Sequence, residues 1–126
     1  MADAPKKVLL IDDDPFILDL MAKQLKAKKL EVISTTDPEK AVGLVQTEKP
    51  NLVISDIAMP GLDGLTLAKR LHEDPTTRNT PLILLTGSDK MSDVEEGFAS
   101  GAQAYLLKPV DWDSAWTKIS ELLAHS

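Results

Sequence analysis

The sequence predicts an α/β fold in which helices cover both faces of a parallel β-sheet. Short apolar runs alternate along the chain with longer segments whose apolar residues recur at helical spacing. Strict alternation of this kind is typical of right-handed βαβ crossovers, which build a parallel sheet. The run PLILL at residues 81–85 is apolar throughout, as expected of a strand that is covered on both sides. We therefore expect a doubly wound (βα)5 domain with a five-stranded sheet.

Each predicted element follows from its local pattern. The predicted strands are residues 7–11, 31–34, 51–55, 81–85 and 104–107. The predicted helices are residues 15–28, 38–48, 65–71, a weaker segment at 92–99 and a last helix from residue 112. The segment at 92–99 is weak because it has few apolar residues and because Gly97 costs about 1 kcal/mol relative to alanine. No linker or repeat interrupts the pattern, so we expect residues 1–126 to form one domain with its core at about 6–123.

Four aspartates stand where they would cap a helix. Asp14 and Asp37 each precede a proline, Asp63 precedes the third helix, and Asp111 precedes the last one. An aspartate at this position accepts a hydrogen bond from the backbone of the first turn, and proline suits the first helical position. These four residues therefore have a structural explanation.

Composition and charge exclude several classes of protein. The chain has 126 residues, of which 43% are hydrophobic, and this suits a single globular domain. It has no cysteine, so disulfides and thiolate metal sites are excluded. A net charge of −6 argues against sequence-independent nucleic-acid binding, which depends on clustered Lys and Arg. Since no apolar stretch approaches the ~20 residues of a membrane span, we expect a soluble, cytoplasmic protein.

Polar residues follow four of the five predicted strands. They are Asp12, Asp13 and Asp14 after the first strand, Asp56 after the third, Thr86 after the fourth and Lys108 after the fifth. Open parallel sheets place their sites beyond these strand ends, so we expect the side chains to converge. Carboxylates without neighbouring His or Cys favour a hard cation such as Mg²⁺. A lysine opposite such a cluster suits a phosphoryl group.

Each of these residues also has an ordinary structural interpretation. Asp14 would cap the first helix, Asp56 alone would be a turn residue, and Lys108 alone would be a solvated lysine. Asp12 and Asp13 are not placed to cap a helix. The joint occurrence of these groups at four strand ends favours the functional interpretation.

Four segments together resemble the receiver domain of two-component response regulators. They are VLLIDDD from residue 8, SDIAMPGLDG from residue 55, LILLTG from residue 82 and AYLLKP from residue 104. Their order and separations are those of the family, and the resemblance covers about residues 6–123. It implies a flavodoxin-like fold with strand order 2-1-3-4-5.

The resemblance implies a phosphorylation site that contains a metal ion. Asp56 would accept the phosphoryl group. Asp13 would bind Mg²⁺ directly, Asp12 would bind it largely through water, and the backbone carbonyl of Ala58 would complete the protein ligands; Mn²⁺ is an alternative ion. Met59, which lies in the loop after Asp56, is expected to pack rather than to react.

The resemblance also implies a switch. Lys108 would pair with the phosphate, the hydroxyl of Thr86 would move toward it, and Tyr105 would shift into the vacated space. Gly87, as a small residue, would leave the site open to a donor histidine or to water. The weak helix at 92–99 would be easy to displace.

The implied partners belong to two-component phosphorelay signal transduction. A histidine kinase or a histidine phosphotransfer protein would donate the phosphoryl group from a phosphohistidine. A downstream output protein would bind the face formed by the fourth helix, the fifth strand and the fifth helix. The chain would thus be a phospho-switch that assists only its own phosphorylation and dephosphorylation, not a turnover enzyme, and it would bind neither nucleic acid nor membrane directly.

Two other classes of protein are alternatives. Phosphotransferases of the haloacid dehalogenase type carry a D-x-D-x-T/V motif after the first strand. Asp12 and Asp14 have that spacing, but Phe16 stands where the motif requires Thr or Val. A degenerate receiver-like scaffold would bind partners without phosphorylation, yet such proteins usually lack an acid, the acceptor or the lysine, and all are present here.

The last helix leaves one question open. Trp112 and Trp116 are four positions apart, so they share one face of the helix. They either pack on the sheet or form an anchor for a partner, since exposed tryptophan commonly marks an interface.

Overall fold

Five parallel strands form one sheet in the order β2-β1-β3-β4-β5, as expected. A computed structural model describes residues 5–57, 59, 62–87, 99, 101–108 and 110–124. The strands are β1 (Lys7–Ile11), β2 (Glu31–Thr35), β3 (Leu52–Asp56), β4 (Leu82–Thr86) and β5 (Ala104–Leu107). Each pair of neighbours in the sheet is parallel, so every carboxyl end lies at the same edge.

The helices agree with the predicted ones apart from two points. They are α1 (Pro15–Ala27), α2 (Ala41–Glu48), α3 (Gly64–Glu73) and a C-terminal helix (Trp112–Ala124). The predicted helix at 38–48 begins instead with a 3₁₀ turn, Pro38–Lys40, in which the amide of Lys40 donates to the carbonyl of Asp37 three residues back, at 3.1 Å. The predicted helix at 92–99 falls on residues outside those described, except for Ala99, which is helical.

Aspartate caps start the helices as the sequence predicts. Asp14 accepts a hydrogen bond from the amide of Phe16 at 2.9 Å, and Asp63 accepts one from the amide of Thr66 at 2.7 Å. Asp37 caps the 3₁₀ turn in the same way. Each cap contributes about 1 kcal/mol. At Asp111 the backbone carbonyl accepts the first bond of the C-terminal helix.

Two apolar layers lie on opposite faces of the sheet. Successive strand residues point to opposite faces, so Val8 and Leu10 enter one layer while Leu9 and Ile11 enter the other. The first layer packs against α1 and the C-terminal helix, and the second against α2 and α3. Strands β3 and β4 are buried along their whole length, as the apolar run at 81–85 predicts. This core holds the strand ends rigidly at one edge.

The two tryptophans pack against the first apolar layer, which supports the packing interpretation. Trp112 and Trp116 stack on each other, with ring centroids 6.4 Å apart and an angle of 23° between the rings. The ammonium of Lys28, at the end of α1, lies 5.0 Å from the ring centroid of Trp116. This cation–π contact joins the end of α1 to the C-terminal helix.

The helices of the described residues are all too short or too polar to cross a lipid bilayer.

Candidate functional site

The strands of the sheet end in register, and this brings distant polar residues together. Ile11 pairs with Ser55, Asp56 with Leu85, and Thr86 with Leu107. The sequence analysis placed Asp56 and Thr86 just after their strands, but each is the last residue of its strand. Both are therefore fixed by the sheet's own hydrogen bonds. Of the residues predicted to converge at this edge, Asp12, Asp13, Asp56 and Lys108 bring their charged groups together.

The three consecutive aspartates after β1 have three different environments. Asp12 is 1% exposed and accepts a hydrogen bond from the amide of Asp14 at 3.0 Å. Asp13 is exposed, and Asp14 turns away to cap α1. Asp12 and Asp13 are thus directed to the strand edge while Asp14 is structural, as the sequence analysis expected.

Lys108 forms ion pairs with two carboxylates, that of Asp12 after β1 and that of Asp56 at the end of β3. Its ammonium lies 3.1 Å from Oδ2 of Asp12 and 3.1 Å from Oδ2 of Asp56. Both carboxylates are buried, whereas the lysine side chain is 26% exposed and reaches solvent. One cation thus contacts two anions at the floor of an open site.

The carboxylates of Asp12, Asp13 and Asp56 form a cluster that could hold a metal ion. Each residue offers an oxygen, and these oxygens lie within 4.8 Å of one another. At that distance two like charges repel by about 0.9 kcal/mol in water and by roughly 3.5 kcal/mol at an effective dielectric constant near 20. A single lysine does not neutralise three carboxylates. The all-oxygen donor set fits a small hard cation such as Mg²⁺.

The pKa values of Asp12 and Lys108 respond to this crowding. Burial raises the pKa of the Asp12 carboxyl, and the charge of Asp56 adds to that effect, while the bonds from Asp14 and Lys108 oppose it. Burial alone would lower the pKa of Lys108, but its hydrogen bonds to Asp56 and Asp12 outweigh burial and raise it. The lysine is therefore firmly cationic at neutral pH, whereas ionised Asp12 is costly and gains from a further cation.

Thr86 ends β4 at the same sheet edge as the acidic cluster, Gly87 follows it, and Tyr105 lies on β5. Thr86 is buried at the end of β4, and its carbonyl accepts a hydrogen bond from the amide of Lys108 at 2.7 Å. Gly87 is exposed, and a Cβ added there would meet no atom of the described residues within 4 Å. Tyr105 on β5 is half-buried against the second apolar layer. Among the described residues, open space thus adjoins the residue that follows Thr86.

The loop after β3 is partly described. Ala58, whose carbonyl is a predicted metal ligand, lies outside the described residues. The carbonyl of the preceding Ile57 accepts a hydrogen bond from the amide of Gly64 at 2.8 Å. Met59 is 7% exposed and packs in the second apolar layer, as expected.

Two features at this edge escaped the sequence analysis. Gly64 packs directly on the backbone of Asp56 and Ile57. An apolar surface also lies beside the site, where Phe16 is 67% exposed and Leu20 is 46% exposed. Phe16 was detectable in principle, because it stands outside the helical repeat of the buried α1 residues Leu18, Met21 and Leu25. A groove of about 330 Å³ adjoins this surface and is lined by Ile17, Leu20, Met21, Gln24, Lys108, Val110 and Trp112.

Comparison with known proteins identifies relatives of this arrangement. Residues 8–120 match the family described as the response regulator receiver domain. The response regulator PleD of Caulobacter vibrioides is 35% identical over 105 residues, which is 83% of this chain but 23% of PleD. The protein PilH of Pseudomonas aeruginosa is 33% identical over 118 residues and is covered over 98% of its length, with 94% of this chain aligned.

Solved structures give the same result for the fold. The chemotaxis response regulator CheY4 of Vibrio cholerae superposes with a TM-score of 0.87 at 26% identity, over 94% of this chain and 99% of that one.

The length covered differs widely among the curated relatives, since the chain spans about a quarter of PleD and nearly all of PilH.

Proposed function

The chain belongs to the family of response regulator receiver domains, and we propose that it accepts a phosphoryl group from a phosphohistidine onto Asp56. The observation that carries this proposal is the convergence of Asp12, Asp13, Asp56 and Lys108 at one strand edge. It joins an anionic nucleophile, ligands for a divalent cation and a phosphate-binding ammonium. No structural role requires all of these groups together.

In the proposed reaction an oxygen of Asp56 attacks the phosphorus atom in line with the bond to the donor imidazole. An O–P bond forms, the P–N bond breaks, and the imidazole leaves with its electron pair. Because Asp56 ends β3 and is paired with β4, the backbone that carries its carboxylate is fixed at this strand edge. The product is an acyl phosphate, which water later hydrolyses at the same site.

Asp12, Asp13 and Asp56, with the carbonyl of Ala58, are the groups that would hold Mg²⁺ or Mn²⁺. When bound, the ion supplies positive charge that neutralises the phosphoryl oxygens and orients them. The unequal exposure of the first two residues supports the expected division of labour. Exposed Asp13 is free to approach the ion directly, whereas Asp12 already receives bonds from Lys108 and Asp14.

Lys108 would transfer its contact from the carboxylate to the phosphate. It now lies 3.1 Å from Asp56, and its partial exposure lets the ammonium follow a charge that moves outward. A positioned cation of this kind is worth about 10²–10³ in rate at sites of comparable design. The hydroxyl of Thr86 would bind another phosphoryl oxygen.

The surface formed by Phe16 and Leu20 fits the donor protein. A phosphohistidine must come within contact distance of Asp56, so the donor has to cover whatever lies next to the site. Large exposed apolar side chains at that place are suited to such an interface. The donor would be a histidine kinase or a histidine phosphotransfer protein of the cytoplasm.

The output would follow the switch described for Thr86 and Tyr105. Movement of the threonine toward the phosphate would free space for the half-buried tyrosine and alter the face around β5. A downstream protein would bind that altered face. In this proposal the chain is a phospho-switch and does not turn over an external substrate.

Incubation with acetyl phosphate and Mg²⁺, followed by intact mass measurement, tests the proposed function. The wild-type chain should gain one phosphoryl group, and chelation of the metal should prevent the gain. Asp56→Asn should remain unmodified while Asp14→Asn, the matched control in the structural cap, should react. No adduct from either acetyl phosphate or a cognate kinase would favour the degenerate scaffold, and steady turnover of phosphate esters would favour the phosphotransferase.

A further inference from the structure

Gly64 lies at the point where the loop after β3 closes on itself. The amide of Gly64 donates to the carbonyl of Ile57 at 2.8 Å, and the amide of Ile57 donates to the carbonyl of Leu85 at 2.9 Å. These two bonds tie the start of α3 to the end of β3 and, through it, to β4. We call the backbone of Asp56, Ile57 and Gly64 the loop neck.

A side chain at residue 64 cannot be accommodated in the loop neck. A Cβ added to Gly64 would lie 2.8 Å from the Cα of Ile57 and 3.1 Å from the carbonyl carbon of Asp56, and it would overlap the carbonyl oxygen of Asp56. All of these are backbone atoms, so no side-chain rotation relieves the contact. Ordinary contact begins at 3.4 Å, so the neck would have to open by at least ~0.6 Å, the difference between 3.4 and 2.8 Å.

The atoms that would be displaced belong to the residue that carries the carboxylate. From this geometry we infer that Gly64 is a positioning residue, which sets the place of the Asp56 carboxylate relative to Lys108 and the acidic cluster. The inference rests on the proposed function, because it concerns the reaction of Asp56. Asp12 and Asp13 follow β1 and Lys108 follows β5, so none of them belongs to the loop neck.

Gly64→Ala tests the inference, and Gly43→Ala is the matched control. Gly43 lies in α2, where an added Cβ meets no atom within 4 Å, so alanine fits there. Phosphorylation is followed at increasing acetyl phosphate concentration with saturating Mg²⁺, and the folded fraction is measured by circular dichroism. Metal affinity is measured by calorimetry.

We expect the maximal phosphorylation rate of Gly64→Ala to fall roughly ten- to a hundredfold, since a misplacement of about 1 Å costs about a hundredfold. The half-saturating acetyl phosphate concentration should change by no more than about threefold, because the groups that bind it stay in place. Gly43→Ala should match the wild type within about twofold. A purely structural role would lower the folded fraction and leave the rate per folded molecule unchanged.

Each other outcome is decisive. If the wild type is labelled and Gly64→Ala is labelled equally fast per folded molecule, this inference is wrong and the proposed function stands. Gly43→Ala replaces a helical glycine with the better helix former and so serves as a stabilising background. If Gly64→Ala fails to fold even in this background, Gly64 is needed for the fold alone, and this result also overturns the inference. If the wild type accepts no phosphoryl group, the proposed function fails first.

Discussion

Replacing Lys108 with methionine removes the cation that contacts both buried carboxylates. Methionine keeps much of the apolar stem but leaves Asp12 and Asp56 without the ammonium at 3.1 Å from each. At that distance one pair is worth roughly 1.3 kcal/mol in water and about 5 kcal/mol at an effective dielectric constant of 20. Since the lysine is 26% exposed, solvent screens the pairs and the lower end applies. We expect the metal-free variant to lose about 1–3 kcal/mol of unfolding free energy.

The same substitution should strengthen metal binding while it slows phosphorylation. The Lys108 ammonium would repel a divalent cation held by the acidic cluster, so removal of the ammonium should tighten Mg²⁺ binding roughly tenfold. The phosphorylation rate should fall about a hundredfold or more, because the cation that balances the phosphoryl charge is lost. Tighter Mg²⁺ binding together with slower phosphorylation is the result expected if the Lys108 ammonium repels the metal ion and balances the phosphoryl charge.

Urea unfolding with and without Mg²⁺, calorimetry and the acetyl phosphate reaction measure these effects, with exposed Lys69→Met as control. The raised pKa of Lys108 means that its stabilisation is fully present below pH 10.5 and is lost as the pH rises through the folded-state pKa. The stability difference between wild type and variant should therefore disappear in strong alkali. Weaker Mg²⁺ binding by Lys108→Met, or unchanged stability near neutral pH, would contradict the role given to the Lys108 ammonium.

Three further substitutions give distinct results. Asp14→Asn should keep the phosphorylation rate within about twofold, because asparagine also caps a helix. Asp13→Asn should weaken Mg²⁺ binding at least ten- to a hundredfold. Equal effects of the two substitutions on Mg²⁺ binding in calorimetry would contradict the division of roles between the two residues. Hydrogen bonds from the hydroxyl and amide of Thr76 lower the pKa of Asp74, so its stabilisation is present above pH 3.8 and is lost as the pH falls through the folded-state pKa. Asp74→Asn should therefore lower the melting temperature at pH 7, and the difference should shrink in acid; a difference independent of pH would argue against this pair.

Local features of the fold were predictable because their causes are local. The caps at Asp14 and Asp63 depend on a side chain and an amide two or three residues away, and both are as expected. The apolar run at 81–85 similarly identifies a strand buried on both faces. The 3₁₀ start of the second helical segment was not predicted, because proline and a capping aspartate are compatible with either helix type.

The site was predictable in its members but not in its contacts. The rule for parallel strand ends brings Asp12, Asp56 and Lys108 to one edge without giving any distance between them. Lys108 and Asp12 are 96 positions apart, and their ion pair depends on the register of the sheet. The contact of Gly64 with the Asp56 backbone depends on the path of the loop, and glycine in a sequence does not distinguish a turn from a close approach.

Phosphorylation of Asp56 itself is tested by identifying the residue that carries the phosphoryl group. The chain is treated with acetyl phosphate and Mg²⁺, the acyl phosphate is reduced with borohydride, and the reduced position is located by peptide mass spectrometry. Reduction converts a phosphorylated aspartate into homoserine, so the label survives digestion. The proposed function predicts homoserine at residue 56 alone. Homoserine at residue 12 or 13 would contradict the proposed function. So would a chain that has gained a phosphoryl group but yields no homoserine at any position.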